Sequence, residues 1–212
     1  MTAVLYDYWR SSASYRVRIA LHHLAIPFTS VAVDLVRGEQ KGAENLARNP
    51  QGLVPTLEID GHRLTQSVAI VEYLDETRQG GLLPAAPAER ARVRALAFAI
   101  AMETAPVCNL SVRNQVAEIS GGKVSADDWQ RHHIGRGLAA LEAMLDHPAT
   151  GRFCHGDRLS LADICLVPQA YNAERAGLDL ASHPRIHRIL LDLRALPAVE
   201  AAHPDHSQPK DP

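Results

Sequence analysis

The chain has no block of basic residues, no paired cysteines and no apolar run long enough to cross a membrane, and each absence removes a class of function. Its 212 residues carry 22 lysines and arginines against 24 acidic residues, a net charge of -2 with a pI near 6.6. The arginines are scattered along amphipathic segments, so nucleic acid is not an expected partner. Apolar stretches are broken by charge or proline well before the roughly 18 residues a span requires, and the N-terminus lacks a basic region followed by an apolar one. A soluble, cytoplasmic protein with no membrane partner is expected. Cys108, Cys154 and Cys165 are the only cysteines and form no Cys-x-x-Cys pair, which argues against a disulfide framework or a dithiol centre; they read as buried small apolar residues. No metal is expected. His183 and His187 lie one helical turn apart, but no Glu follows His183 and no third ligand is indicated. Gly121-Gly122-Lys123 lacks the flanking residues of a phosphate loop, and Gly-x-Ser-x-Gly is absent.

What is present divides the chain into two halves of different character. Val4-Leu5-Tyr6 and Phe28 to Leu35 read as strands around a helix whose apolar positions Val17, Ala20, Leu21 and Leu24 follow helical spacing. A third strand is expected over Val54 to Ile59. Asp60-Gly61 then turns the chain into a fourth, His62 to Thr65, because that dipeptide suits the positive φ angles of a two-residue hairpin. A helix follows from about Ser67, with Ile70, Tyr73 and Leu74 on its buried side. The two halves make one mixed sheet with helices packed on it. Beyond the Gly/Pro-rich stretch 79–88 the pattern is helical, over Arg92 to Ile119, Asp127 to Leu145, Leu161 to Glu174 and Pro184 to Arg194, with a draped or loose tail from His203.

Three places carry chemistry. Ser11, Ser12 and Ser14 fall at or just before the first helix, where unpaired N–H groups and the positive dipole end favour an anion; a serine there also serves as a plain cap. Pro55 sits inside an expected strand and forfeits a ladder hydrogen bond. If the Val54-Pro55 bond is cis, the backbone of Val54 can pair with an extended peptide, and the sequence leaves the isomer open. Gln66-Ser67 offers a second helix start, as a carboxylate site or as a cap. Ser160-Leu-Ala-Asp163 has the spacing of a capping box and reads as structural.

These residues resemble a known family. The run Arg10-Ser11-Ser12, Tyr15 to Leu21, Asn49-Pro50, Val54 to Leu57, Gln66-Ser67, Asn109-Leu110-Ser111, Ala162-Asp163 with Leu166 to Gln169, and Asn172 to Arg175 is similar to the zeta class of the thioredoxin-like glutathione transferases. This is the class of the maleylacetoacetate isomerases, and the similarity runs from Val4 to the Gln208-Pro209 tail. The resemblance implies a thioredoxin-like α/β domain with a mixed four-stranded sheet over 1–80, a linker at 81–88 and an all-helical substrate domain over 89–212. It implies glutathione as cofactor, a small dicarboxylate as substrate and a homodimer. By it, Ser11 donates a hydrogen bond to the glutathione sulfur with Ser12 in support. Val54 and Pro55 meet the cysteinyl backbone, Gln66 and Ser67 hold the γ-glutamyl carboxylate, and Gln40 reaches the glycyl end. Asn109 and Ser111 border the glutathione site, and Arg10 and Arg175 take the substrate carboxylates.

The implied activity is glutathione-dependent cis-trans isomerisation of maleylacetoacetate to fumarylacetoacetate in tyrosine and phenylalanine breakdown. A thiol of pKa about 8.5 is only roughly 3% ionised at pH 7, and lowering it to about 6.5 takes roughly 2.7 kcal/mol. A hydrogen bond to the anion gives about 1.5–3 kcal/mol and a helix N-terminus up to about 2. Together they suffice without a general base. Ala13 stands where the zeta pattern usually has cysteine, which counts against reductive dehalogenation. Cys108 precedes Asn109 where another polar residue is usual, and a covalent role for it is an open alternative. Maleylpyruvate isomerase is the nearest rival; some such enzymes carry arginine near Leu110 and Ser111, and neither of these two positions is arginine in this chain. General conjugation, peroxidase activity and a non-catalytic ligand-binding protein are the other readings.

Overall fold

A computed structural model describes residues 2–208. The contacts divide the chain into two compact units, one comprising 1–81 together with 195–212, the other 82–194. In the first unit the elements are β1 (Ala3–Asp7), α1 (Ser12–His23), β2 (Phe28–Ala32), α2 (Ala43–Arg48), β3 (Thr56–Ile59), β4 (His62–Thr65) and α3 (Ser67–Arg78). The sheet order is β2-β1-β3-β4, with β1 parallel to β2 and antiparallel to β3, and β3 antiparallel to β4. This is the mixed four-stranded sheet expected. Asp60 and Gly61 both adopt the positive φ that the two-residue loop between β3 and β4 requires.

Local chemistry explains where the elements stop short of their expected bounds. β2 ends at Ala32 rather than Leu35, because Asp34 Oδ1 accepts the N–H groups of Val36 and Arg37 and turns the chain. β3 starts at Thr56, one residue after the proline that has no N–H for the ladder. Tyr73 is only half-buried, since α3 buries Ile70, Val71 and Leu74 and lets the tyrosine hydroxyl reach out to Asp60 Oδ2 at 2.9 Å. α1 departs most from expectation. Every residue from Ser14 to Leu21 is buried, including Arg16 and Arg18, so this helix has no solvated face over two turns.

The second unit contains α4 (Pro87–Phe98), continued through a π-helical stretch Ala99–Thr104, then α5 (Ala105–Val107), α6 (Leu110–Ile119), α7 (Ala126–Met144), α8 (Leu161–Arg175) and α9 (Pro184–Arg194). Its core is aliphatic, with Leu96, Ile134, Leu138, Leu141, Ile164 and Leu193 nearly inaccessible. The capping box of α8 forms as read: Asp163 accepts from Ser160 N at 2.9 Å and Ser160 Oγ at 2.6 Å, and also from Cys154 N at 2.9 Å. No single helix among the described residues is long and apolar enough to cross a membrane; the bent pair 87–107 and 110–119 meets that measure only jointly, across 41°.

The last elements are α10 (Pro197–Ala201) and α11 (Pro204–Ser207). The helical domain is expected over 89–212, and by its contacts the segment from Ala195 packs with the first unit. Tyr15 donates to Val199 O at 3.4 Å and Arg18 Nε to Ala202 O at 3.1 Å, both from within α1. Of the two readings of the tail from His203, draped and loose, the first holds. Pro204 is buried and His203 Nδ1 accepts from Asp205 N, which closes a helical turn. Pro209 and the residues after it lie outside the described region.

Candidate active site

The first unit presents two helix N-termini bearing the expected residues. Ser11 is the N-cap of α1, extended at φ -68° and ψ 121°, and its Oγ accepts from Ser14 N at 3.2 Å. This is the plain cap, but it does not exhaust the residue. A hydroxyl has two lone pairs and one donor, so capping uses a lone pair and leaves the O–H to donate elsewhere. Ser12 and Ala13 follow as the first helical residues, with N–H groups that no earlier carbonyl can reach. No acidic residue lies in this turn, so the site keeps its positive end for an anion.

Arg10 is held beside this turn by neighbours that sequence reasoning passed over. Its Nη2 donates to Tyr8 Oη at 3.0 Å, and its guanidinium carbon stands 4.6 Å from the Trp9 ring centroid. It has no acidic partner among the described residues. The consecutive Tyr8-Trp9-Arg10 is a readable signal, because an arginine stacked on an aromatic face keeps its charge while losing freedom.

The Val54-Pro55 bond is cis, which decides the question the sequence left open. Val54 and Pro55 precede the β3 ladder. The loop leading to them is organised by buried Asn49, whose Nδ2 donates to Leu53 O at 3.0 Å and whose Oδ1 accepts from Gln51 N at 3.1 Å. Gln66 is the N-cap of α3 at φ 67°, and it makes no cap bond; its Nε2 donates to Gln51 Oε1 at 2.7 Å. Ser67 is not a cap either. It is the first helical residue, 6% exposed, and its Oγ accepts from Arg16 Nη1 at 3.2 Å. Gln40 lies in the 3₁₀ turn Glu39–Lys41, with its Oε1 buried and unpartnered among the described residues.

In the second unit Arg175 is exposed at the end of α8, its guanidinium carbon 5.6 Å from the Tyr171 ring centroid, with no acidic partner among the described residues. Asn109 caps α6 by position without a side-chain bond, and Ser111, the second residue of that helix, is exposed. Cys108 is half-buried, and burial pushes its thiol up to about 11 against the opposing pull of Arg113. It is therefore a thiol at neutral pH. Maleimide labelling at pH 7 is expected to leave Cys108 largely unmodified, and Cys108→Ala to keep activity within about twofold; rapid labelling or a tenfold loss would restore a covalent role.

A γ-glutamyl tripeptide fits what the first unit offers. The α1 start suits a thiolate, the α3 start suits a carboxylate, and the buried Gln40 carbonyl is an acceptor in want of a donor. No group of three or more potential ligands for a metal occurs among the described residues.

Comparison with known proteins agrees with this chemistry. Residues 1–76 match the N-terminal domain family of glutathione S-transferases, and 111–204 match their C-terminal domain family. Maleylacetoacetate isomerase of Rhizobium meliloti (strain 1021) is 58% identical over 97% of this chain and 98% of its own length. The crystal structure of maleylacetoacetate isomerase from Methylobacterium extorquens AM1, with bound malonate and glutathione, is 42% identical with a TM-score of 0.92, covering 99% of each chain. A maleylpyruvate isomerase described as a bacterial zeta-class glutathione S-transferase is 36% identical with a TM-score of 0.93, over 99% of this chain and 100% of that one. At these identities and coverages, the chain belongs to the zeta class of the glutathione S-transferase family.

Proposed function

We propose that this protein isomerises maleylacetoacetate to fumarylacetoacetate with glutathione as a cofactor that is returned unchanged. The observation that carries the reading is Ser11, which caps α1 through a lone pair and retains its hydroxyl proton for a thiolate at the helix start. When bound, glutathione supplies the thiolate whose reversible addition turns the cis double bond into a rotatable single bond. Ser11 donates to that sulfur, with Ser12 in support. Val54 and Pro55 meet the cysteinyl backbone, Gln66 and Ser67 take the γ-glutamyl carboxylate, and Gln40 takes the glycyl end. Asn109 and Ser111 border the glutathione. Arg10 and Arg175 receive the substrate carboxylates; neither is neutralised by an acidic partner among the described residues, and Tyr8 and Trp9 keep Arg10 oriented.

The reading places the enzyme, as a homodimer, in the cytoplasm and in aromatic amino acid breakdown. The absence of arginine at 110 and 111 favours maleylacetoacetate over the shorter maleylpyruvate. Conversion of both acids, followed with and without glutathione, tests it. Turnover is expected to require glutathione and to be faster on maleylacetoacetate, and Arg175→Ala should lower kcat/KM by about 10- to 100-fold through loss of a carboxylate contact. Equal rates without glutathione, or undiminished turnover of Arg175→Ala, would overturn it.

A further inference from the structure

α1 buries two arginines, and only one of them has a countercharge. Arg18, 1% exposed, is satisfied on every side: Nη1 meets Asp7 Oδ2 at 2.5 Å, Nε donates to Ala202 O and Nη2 to Trp9 O. Arg16, 3% exposed, donates from Nη1 to Ser67 Oγ at 3.2 Å; its Nε and Nη2 have no partner and no carboxylate lies within ion-pair distance among the described residues. A buried cation with two unused donors is strongly destabilising by itself. It is explained if an anion completes the arrangement when bound.

The position of Ser67 says where that anion goes. α3 has 12 residues, no acidic side chain in its first turn and no side-chain cap at Gln66, so its leading N–H groups face outward. Ser67 Oγ accepts from Arg16, which turns the hydroxyl proton away from the guanidinium and toward another acceptor. The helix end, the polarised hydroxyl and the buried cation thus favour negative charge at one place.

We propose that Arg16 is a positioning residue for the carboxylate subsite at the start of α3. It orients the Ser67 hydroxyl and supplies the countercharge for the α-carboxylate of the γ-glutamyl group. The inference rests on glutathione being the ligand, and it adds a residue that touches the carboxylate through Ser67.

Calorimetric titration with two tripeptides tests it: glutathione, and 4-aminobutanoyl-cysteinyl-glycine, which lacks only that α-carboxylate. The native protein is expected to bind glutathione about thirtyfold more tightly than the analogue, as a desolvated charge contact implies. Arg16→Gln should weaken glutathione by about tenfold or more and leave the analogue within about twofold, with Arg16→Lys in between. A merely structural arginine would weaken both ligands alike, and that result overturns the proposal, as does no effect on either. Should Arg16→Gln fail to fold, Arg16→Lys decides: a narrowed ratio of the two affinities supports the proposal and an unchanged ratio overturns it. A native protein that binds neither tripeptide would instead remove the glutathione reading on which both rest.

Discussion

Asp163→Ala is expected to remove about 4 kcal/mol of stability, more than any other single substitution considered for this chain. The carboxylate is fully buried and accepts from Cys154 N, Ser160 N and Ser160 Oγ. The Ser160 hydroxyl can rotate to another acceptor, but the two backbone N–H groups cannot, and each buried donor left unpaired costs about 1–3 kcal/mol. Both the helix start and the 154–160 loop are held by one side chain, so their losses come together. Urea denaturation, with the variant compared at equal m-value, measures it; a loss below about 1 kcal/mol would mean the loop holds without Asp163.

The same residue has a definite pH signature. Burial raises its carboxyl above the usual range, outweighing the hydrogen bonds that oppose the shift. The folded state then binds this proton more tightly than the unfolded chain does. The stability from that proton is present below the unfolded pKa of about 4 and is lost as pH rises through the raised value. The advantage of the native protein over Asp163→Asn should accordingly shrink as pH rises across that window.

Ser11→Asp is expected to keep the fold and lose the chemistry. Aspartate caps a helix as well as serine does, so thermal stability should change by less than about 1 kcal/mol. An ionised carboxylate has no proton to donate and repels a thiolate, whereas the serine hydroxyl does both the capping and the donating. Loss of the donor alone is about 1.5–3 kcal/mol, and the added repulsion brings the expected fall in kcat/KM to about a thousandfold. Ser11→Thr retains both roles and should stay within about tenfold of the native rate, while Ser11→Ala loses cap and donor together. The thiolate absorbance of bound glutathione, titrated against pH, should move up in Ser11→Asp and hardly at all in Ser11→Thr. Undiminished turnover of Ser11→Asp would refute the role given to the hydroxyl.

What could be read in advance was what depends on near neighbours in sequence. The Asp60-Gly61 loop, the Ser160–Asp163 box and the Ser11 cap each involve residues within a few positions, and all three occur as read. Ser67 was open between cap and carboxylate site because the partner that decides it, Arg16, is 51 residues away. Arg16 and Arg18 flank Val17 in a helix that was read from its apolar positions alone. Their burial depends on Asp7, on the Trp9 carbonyl and on Ala202 at the far end of the chain, none of which helical periodicity can register. Asn49 stands in the sequence only as part of a motif, and its two side-chain bonds, which shape the loop before Val54, have no local signature there. Tyr8 and Trp9, in contrast, lie next to Arg10 and are legible in the sequence.

The return of 195–208 to the first unit bears on how the protein is made. Ribosomal synthesis proceeds at about 5–20 residues per second, and domains made first ordinarily fold first. Here the earliest helix, α1, receives Val199 O and Ala202 O, 184 residues later, against Tyr15 and Arg18. The unit whose strands emerge first is therefore the unit completed last, and a nascent chain stalled before residue 195 has yet to make the Val199 and Ala202 carbonyls that accept from α1.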